Sequence, residues 1–274
     1  MLNFSRFFLL LALLSTHVLK AGQKDSLFVH YFENPPFSYS EGTELKGIEI
    51  DILNEYVNWL KLKKNISLKV GYKGYTDFEV FLNNVKTADK STFGLGTLTI
   101  NQERKKELDF TSPVLKNVAF CITNGHAPDV KVKTKTELLK VFGNMTAITI
   151  PNSSLNGYVL EIKKLYVPEL KISYQANPQK ILDEISKNVL QFGYVDAVSF
   201  WVYLKKNPGR FLKMQKALSQ SKEELAFVLP KGSEHTQLFN EFFEGPNGFK
   251  FSKHYRSILE KHLGSYMTQN MAIY

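Results

Sequence analysis

Residues 26–70, SLFVHYFENPPFSYSEGTELKGIEIDILNEYVNWLKLKKNISLKV, decide the fold class. This stretch opens with a strand-like segment at 26–31 and closes with another at 66–70. Between them, residues 48–60 carry apolar side chains at helical spacing. The Pro35-Pro36 pair predicts a loop, because two prolines do not fit a central strand. Strand, helix and strand in this order predict a βαβ unit with parallel strands.

The second half of the chain repeats this pattern. Strand-like segments at 147–150, 172–174 and 194–198 alternate with helical segments at 158–166 and 178–189. Such alternation is typical of α/β proteins with a mainly parallel sheet. Two similar α/β halves therefore predict an α/β fold with two lobes.

The composition is that of a globular protein, with 43% hydrophobic and 22% charged residues among 274. The mean hydropathy of −0.20 excludes a membrane bundle. The formal net charge is +9. The basic excess is spread along the chain rather than gathered in a stripe, so we expect a solvated surface and no nucleic-acid partner. Such a surface also helps to attract an anionic ligand.

The N-terminus has the pattern of a secretory signal peptide. Arg6 precedes an apolar run at 7–14, which is too short to span a bilayer because spanning takes ~20 residues. A positive start, a short apolar core and a small residue soon afterwards are typical of a cleaved signal. We predict a signal peptide at residues 1–21, ending at Ala21, and export to the periplasm. An uncleaved anchor is the alternative.

The sequence gives no sign of a catalytic or metal site. The single cysteine, Cys121, lies in the apolar run 118–122, where a buried structural thiol is expected. The six histidines show no metal-ligand spacing. The chain has neither a Gly-x-Ser-x-Gly turn nor a three-glycine dinucleotide loop. We therefore predict no catalytic residue, no cofactor and no metal.

Five segments carry a resemblance to a known family. They are PPFS at 35–38, GIEIDI at 47–52, LTINQERKKELDFTSP at 98–113, GYVDA at 193–197 and FVLPKGS at 227–233. In these segments the chain resembles the extracellular solute-binding proteins of family 3, which serve polar amino-acid ABC transporters. The resemblance covers residues 26–264, and its most specific part is 97–113.

The resemblance implies the type 2 periplasmic-binding-protein fold, with a discontinuous first lobe and a two-strand hinge. We place the first lobe at 22–115 and 226–274 and the second lobe at 116–225. The chain would cross between the lobes near 114–118 and 222–227. In this family the ligand binds in the cleft and the lobes close over it.

An arginine and a helix N-terminus are the candidate ligand-binding groups. A carboxylate is costly to remove from water unless it meets a matching pair of donors. The guanidinium of Arg104 offers such a pair of N–H donors, so we predict that Arg104 binds a carboxylate. The alternative is that Arg104 is a surface residue in a charged run. Ser153 and Ser154 lie between a strand and a helix, where hydroxyl groups and free amides suit an anion. An ordinary helix cap is the alternative there.

The resemblance adds further candidates. It implies that Arg104 holds the carboxylate-binding position and that Thr99 binds the same carboxylate. It also implies that the carbonyl group of Thr97 accepts a hydrogen bond from the ligand's ammonium. Phe37 and Tyr75 match positions of aromatic residues that stack against the ligand, although a core role fits them equally well.

Two positions depart from the family pattern. An acidic residue usually follows the "D-A" pair and holds the ligand's ammonium; counting from Asp196 places Trp201 there. A tryptophan offers cation–π attraction but no full charge. Asn34 stands where an aromatic residue is common. We expect Trp201 and Asn34 to contact the ligand, and we interpret Asp196 as a structural strand residue. The departures favour an unusual amino acid, a derivative with a masked amine, or another small carboxylate.

These observations predict a monomeric periplasmic protein that captures a small, amino-acid-like carboxylate and delivers it to a membrane permease for ABC-type uptake. Two alternatives remain open. One is an enzyme on the same scaffold, resembling cyclohexadienyl dehydratases, with Glu33, Asp51 or Asp196 as acid or base. The other is a ligand-sensing accessory protein that is read by a receptor.

Overall fold

Strands and helices alternate along the chain. The computed structural model describes residues 26–270. Its strands are β1 (Ser26–Phe32), β2 (Tyr39–Glu41), β3 (Glu44–Lys46), β4 (Lys69–Tyr75), β5 (Thr92–Thr99), β6 (Leu108–Phe110), β7 (Leu115–Asn124), β8 (Thr146–Thr149), β9 (Lys171–Tyr174), β10 (Gln191–Asp196), β11 (Leu212–Met214) and β12 (Gln220–Pro230). Its α-helices are α1 (Ile48–Lys64), α2 (Phe78–Lys86), α3 (Gln102–Lys105), α4 (Lys135–Phe142), α5 (Ser154–Leu165), α6 (Pro178–Lys187), α7 (Ala197–Lys206), α8 (His235–Glu244), α9 (Lys253–Leu263) and α10 (Ser265–Asn270).

One sheet runs through both halves of the chain. Its strand order is β4-β1-β5-β12-β7-β10-β8-β9, with β6 beside β12 and β11 beside β7. The β4-β1-β5 and β10-β8-β9 neighbours are parallel. We call β1, β4, β5 and β6 with their helices the first lobe, and β7 to β11 with theirs the second lobe. The predicted α/β fold with two lobes is confirmed.

The strands β7 and β12 connect the lobes. They pair in antiparallel fashion, with Leu115 opposite Leu225 and Asn117 opposite Glu223. Strand β12 also pairs with β5, and β7 also pairs with β10, so the sheet is continuous from lobe to lobe. The crossings expected near 114–118 and 222–227 overlap this β7–β12 pairing, which we propose as the hinge.

The C-terminal helices complete the first lobe. Tyr56 of α1 packs against Phe239 of α8, with ring centroids 5.3 Å apart. Tyr255 of α9 donates its hydroxyl to the carbonyl oxygen of Val114 at 2.6 Å. All four side chains are buried. The first lobe is therefore built from both ends of the described chain.

A separate apolar core fills the second lobe. Phe142 and Phe192 stack in it with ring centroids 4.0 Å apart. Cys121 of β7 lies in the same core with 0% exposure, and burial raises the pKa of its thiol. The placement of Cys121 agrees with the buried structural thiol expected from the sequence.

The strand β4 begins later than the sequence predicts. The expected strand was 66–70, whereas β4 pairs with β1 from Lys69 to Tyr75. Glycine weakens strand propensity, and this segment contains Gly71 and Gly74. Gly74 is nevertheless suited to its place, because a Cβ atom there would lie 2.6 Å from the ring of Tyr31.

The loop at 34–38 is fastened to the start of α1. The carbonyl groups of Pro36 and Phe37 accept hydrogen bonds from the first two amides of the helix, at 3.0 and 2.9 Å. These bonds satisfy donors that a helix N-terminus otherwise leaves free. Gly47 permits the close approach, because its φ is +130° and a Cβ atom there would lie 2.0 Å from the Phe37 oxygen.

We expect Gly47→Ala to lower the free energy of unfolding by about 1–3 kcal/mol, the scale of a strained backbone conformation. Chemical unfolding followed by circular dichroism measures the change. Gly157→Ala is the matched control, because its Cβ would meet nothing within 4 Å. In a helix, alanine is favoured over glycine by about 1 kcal/mol, so the control should be neutral or stabilising. Equal losses in both variants would contradict the close approach at Gly47.

Between residues 26 and 270, no helix combines the length and the apolar character needed to cross a membrane. The predicted signal peptide at residues 1–21 lies outside the described residues.

Candidate functional site

A small cavity of about 30 Å³ lies between the lobes. First-lobe residues on its wall include Phe32, Asn34, Phe78, Thr97 and Arg104. Second-lobe residues on its wall include Ile150, Ser153, Ser154, Pro178 and Asp196. A wider groove of about 740 Å³ adjoins the cavity at Arg104, Ser153 and Ser154, which line both. The cleft between the lobes thus narrows to a small chamber behind Arg104.

The polar residues of this cavity follow the carboxyl ends of strands. Asn34 follows β1, Thr97 lies near the end of β5, Ser153 follows β8 and Asp196 ends β10. In α/β folds the loops at these strand ends form the crevice where ligands bind. The topology therefore brings residues that are far apart in sequence to one place.

Arg104 is held at the cleft by the short helix α3. The Oδ1 atom of Asn101 caps this helix by accepting a hydrogen bond from the Arg104 backbone N–H at 2.9 Å. The guanidinium donates from Nη1 to the Thr99 carbonyl at 3.2 Å and from Nη2 to the Asn152 carbonyl at 3.3 Å. It also lies 5.7 Å from the centroid of the Phe78 ring. Since Thr99 and Asn152 belong to different lobes, Arg104 bridges the cleft.

The Arg104 side chain is half-buried, so its charge is partly removed from water. Burial lowers the pKa of Arg104 to about 10, with Glu223 acting in the opposite direction, so the group stays charged at neutral pH. Its direct partners are two backbone carbonyls and an aromatic face rather than a carboxylate. A half-buried cation in this position is best stabilised by an anion that accepts from both of its outer nitrogens.

Thr97 is held in an uncommon backbone conformation beside the cavity. Its φ of +49° lies in a region that β-branched residues rarely adopt. Its backbone N–H donates to Glu49 Oε1 at 2.9 Å, and its hydroxyl accepts from Asn34 Nδ2 at 3.1 Å. Burial raises the pKa of Glu49 to about 7, despite the hydrogen bonds that it accepts. Strain of this kind persists only where the surroundings hold it, and it clusters at functional sites.

The loop before α5 presents two serines with different roles. Ser153 is the helix cap: its Oγ accepts from the Asn156 backbone N–H at 3.1 Å and donates to the Ile150 carbonyl at 2.7 Å. Ser154 Oγ instead lies 3.0 Å from Thr99 Oγ1, so two hydroxyls meet across the cleft. Ser153 therefore has the alternative role of an ordinary helix cap. The hydroxyl groups of Ser154 and Thr99 lie at the interface between the lobes.

Asp196 places a buried carboxylate on the wall of the same cavity. Its Oδ1 accepts from Asn117 Nδ2 at 2.6 Å, and that Nδ2 also donates to Glu223 Oε2 at 2.8 Å. Glu223 accepts a further short hydrogen bond from the Tyr158 hydroxyl. Desolvation, followed by the negative charge of Glu223, raises the pKa of Asp196 to about 7.

Asp196, interpreted from the sequence as a structural strand residue, is the last residue of β10 and also lies on the cavity wall. The sequence predicts a strand over 194–198, but β10 ends at Asp196 and α7 begins at Ala197. At the last position of a strand the side chain reaches the cavity instead of the sheet interior. The signal that could have identified it is this position at a strand's carboxyl end.

Trp201 does not reach the cavity. It lies in α7, where its Nε1 donates to the Leu263 carbonyl at 3.2 Å. Its ring stacks on Tyr266, with centroids 5.4 Å apart. Both partners belong to the C-terminal helices of the first lobe. Because α7 starts immediately after Asp196, Trp201 packs against these helices, and the ligand contact expected for Trp201 is withdrawn.

Phe37 and Tyr75, expected to stack against a ligand, occupy core positions. Phe37 is 1% exposed and packs in the first-lobe core. The hydroxyl of Tyr75 lies 3.2 Å from His30 Nδ1, and its side chain is buried. The aromatic rings on the cavity wall are instead Phe32 and Phe78. The core alternative therefore describes Phe37 and Tyr75.

Phe78 is a wall residue that the sequence analysis does not single out. Asp77 caps α2, because its Oδ1 accepts from the Val80 backbone N–H at 2.9 Å. Phe78 is thus the first residue of the helix, and its ring meets that of Phe32 edge to face at 5.4 Å. Its place just after the carboxyl end of β4 is the signal that could have identified it.

The buried Asp196 predicts a pH dependence of stability. Its folded pKa of about 7 exceeds the ordinary value of 3.8, so between these values only the folded state holds the proton. This group therefore makes stability fall with rising pH across that window, by up to about 1.4 kcal/mol per pH unit. Asp196→Asn should remove this part of the slope in urea unfolding measured between about pH 4 and 8. Parallel pH profiles of the two proteins would contradict the prediction.

Two lobes joined by paired crossing strands, with a charged cavity between them, define a ligand-binding protein of the type 2 periplasmic fold. The sequence matches the family model of bacterial extracellular solute-binding proteins, family 3, over residues 29–265. The chain belongs to this family. No protein with a curated description matches it significantly.

Solved structures show the same fold. The GluR0 ligand-binding core from Nostoc punctiforme, in complex with L-glutamate, has a TM-score of 0.68 at 15% identity; the match covers 87% of this chain and 99% of that one. The arginine-, lysine- and histidine-binding protein ArtJ from Geobacillus stearothermophilus has a TM-score of 0.66 at 18% identity, covering 87% and 95%. AncCDT-1, an ancestral amino acid-binding protein and precursor of cyclohexadienyl dehydratase, has a TM-score of 0.69 at 19% identity, covering 87% and 96%.

Proposed function

We propose that the protein captures a small α-amino acid between its lobes and delivers it to a membrane permease for ABC-type uptake. The observation that carries this proposal is that Arg104 and Asp196, one basic and one acidic, line one interlobe cavity. At about 30 Å³ this cavity holds no more than about two water molecules, so the lobes stand further apart than here when the ligand is bound. An α-amino acid carries the complementary charges, a carboxylate and an ammonium, on one carbon atom. The family and the amino acids named for similar structures support the same ligand class.

The carboxylate of the ligand binds at Arg104. The Nη1 and Nη2 atoms now donate to backbone carbonyls, and a ligand carboxylate would accept from both in a bidentate pair. The hydroxyls of Thr99 and Ser154 lie 3.0 Å apart at the same place and supply further donors. The N-terminus of α5 adds a favourable dipole.

The ammonium of the ligand binds at Asp196. The Asp196 carboxyl supplies a charge that Trp201 cannot, because a neighbouring ammonium favours its ionised form. The hydrogen bond from Asn117 fixes the orientation of Asp196. The Thr97 carbonyl, on the opposite lobe, supplies a second acceptor. The ammonium half of the site, which the sequence leaves without a charged partner, is thereby completed.

Capture works through closure of the lobes. Besides the contacts of Arg104, Gln179 Nε2 donates to the Pro35 carbonyl at 2.8 Å and Asn152 Nδ2 donates to Glu79 Oε2 at 2.7 Å, both across the cleft. A ligand that touches both lobes adds contacts only in the closed state, so it shifts the open–closed equilibrium. We place the hinge at the β7–β12 pairing.

Isothermal titration calorimetry of the dialysed protein with the standard amino acids tests this proposal. We expect at least one to bind with a Kd below about 1 mM. The corresponding acid without its amine and the amine without its carboxylate should both bind more weakly. No heat with any amino acid would count against amino-acid capture. Tightest binding by the plain acid would count against the ammonium half.

We further propose that the protein acts in the periplasm, as a monomer, and leaves its ligand unaltered. Mass spectrometry of the exported protein should show a chain that lacks residues 1–21. Sedimentation should give the monomer mass. Recovery of the amino acid unchanged after long incubation distinguishes binding from the dehydratase-like alternative. Loss of uptake in cells without the protein distinguishes transport from sensing.

A further inference from the structure

Asn34 presents an unsatisfied hydrogen-bond acceptor at the cavity. Its side chain lies on the wall, and the residue is only 4% exposed. The Nδ2 atom donates to Thr97 Oγ1 at 3.1 Å, while Oδ1 has no hydrogen-bond partner among the residues that the structure describes. Proteins seldom leave a buried carbonyl oxygen without a donor, because its desolvation is then uncompensated. A donor brought by the ligand would satisfy this oxygen.

A second unsatisfied acceptor lies beside the same loop on the other lobe. Gln179 of α6 donates from Nε2 to the carbonyl of Pro35, the residue after Asn34, at 2.8 Å. The Oε1 atom of Gln179 is buried and, within the described part of the chain, also has no partner. Gln179 thus holds the Pro35 carbonyl from the other lobe, whereas Asn34 itself lies on the cavity wall.

The cavity wall offers no further charge to a ligand side chain. Among the described residues on the wall, only Arg104 and Asp196 are charged, and the proposed function assigns them to the carboxylate and the ammonium. Other wall residues, such as Phe32, Phe78 and Pro178, are apolar. A charged side chain would be buried here without a partner, which is strongly unfavourable. The wall therefore favours an uncharged side chain with a polar end.

We propose that the ligand is an α-amino acid whose side chain ends in a primary carboxamide, and that Asn34 selects it. This inference rests on the proposed function and adds the chemical class of the side chain. A carboxamide has an N–H donor for the unsatisfied Asn34 oxygen and carries no charge. Because it also has a carbonyl acceptor, it complements the Asn34 amide group in either orientation.

Calorimetry with matched amino acids tests the selection. Glutamine and asparagine are compared with methionine and leucine, which have similar shapes without the donor, and with glutamate and lysine. We expect one carboxamide amino acid to bind at least about tenfold more tightly than its apolar counterpart and than either charged one. Asn34→Leu should reduce this preference to about threefold or less. Asn54→Leu, the same change at an exposed position of α1, should leave the preference intact.

Circular dichroism would show whether Asn34→Leu folds. If it does not, a second variant, Asn34→Asp, still tests the role of Asn34. Asn34→Asp keeps an acceptor and adds a negative charge, so it should shift the preference from glutamine towards lysine. A failure to shift would overturn the role of Asn34, as would a carboxamide preference that survives in Asn34→Leu. Equal binding of carboxamide and apolar amino acids, or tightest binding of lysine or glutamate, would overturn the carboxamide class and leave amino-acid capture standing. Absence of heat with every amino acid would overturn both proposals.

Discussion

Replacing Arg104 by alanine is expected to weaken amino-acid binding by about 2–5 kcal/mol, roughly thirty-fold or more in Kd. The side chain is a half-buried cation whose two outer nitrogens contact backbone carbonyls of different lobes. Its removal would leave the ligand's carboxylate enclosed without a counter-charge, which is the costly situation. Calorimetric titration of the wild-type and variant proteins with the best-binding amino acid measures the loss.

Two further variants separate the bidentate geometry of the Arg104 guanidinium from its positive charge. Arg104→Lys keeps a cation but loses bidentate geometry, so its affinity should lie between those of the wild type and Arg104→Ala. Lys105→Ala removes an exposed neighbouring charge from the same helix and should have almost no effect. If Arg104→Ala and Lys105→Ala bind the ligand equally well, Arg104 has no direct role.

Asp196→Asn is expected to weaken amino-acid binding by a similar amount, about 2–5 kcal/mol. The replacement has nearly the same shape and can still accept a hydrogen bond from Asn117, so the main change is the loss of negative charge. The effect should therefore be specific to ligands with an ammonium. The matching acid without its amine should lose little affinity, or gain some.

Calorimetry should compare how much affinity Asp196→Asn loses for the amino acid with how much it loses for the matching acid without an amine. Asp129→Asn is the matched control, since Asp129 is exposed and pairs with Lys213 on the surface. Equal losses for the amino acid and its amine-free analogue would indicate general damage to the cleft. In that case Asp196 would not be the ammonium partner.

The fold could be predicted because its determinants are local. Strand β1 and helix α1 each show their own hydrophobic period, and their alternation implies the parallel layers. The bounds of β4 could not be predicted from the sequence, because its pairing with β1 overrides the weak strand propensity of Gly71 and Gly74. That pairing is a long-range property, which a local pattern does not contain.

The site could be predicted where chemistry alone selects a residue. Arg104 stands out because few groups match a carboxylate, and the serine pair stands out as a helix start. The chemistry of an aromatic residue does not show whether it contacts a ligand. Phe37 packs in the core and Phe78 lies on the cavity wall, and this difference depends on tertiary packing. Trp201 was assigned by its distance from the "D-A" pair of the family pattern, and a residue count does not show which way a helical side chain points. The turn from β10 into α7 comes two residues earlier than expected, which places Asp196 at the end of its strand and on the cavity wall.

The position of Cys121 gives a way to follow the second lobe separately from the protein as a whole. It is the chain's only cysteine, and it lies fully enclosed in the second-lobe core. A maleimide can label it only after that core opens, so the labelling rate reports local opening free energy of the second lobe. Comparing this rate with the loss of the whole far-ultraviolet signal would show whether the two halves melt as one cooperative unit or in succession.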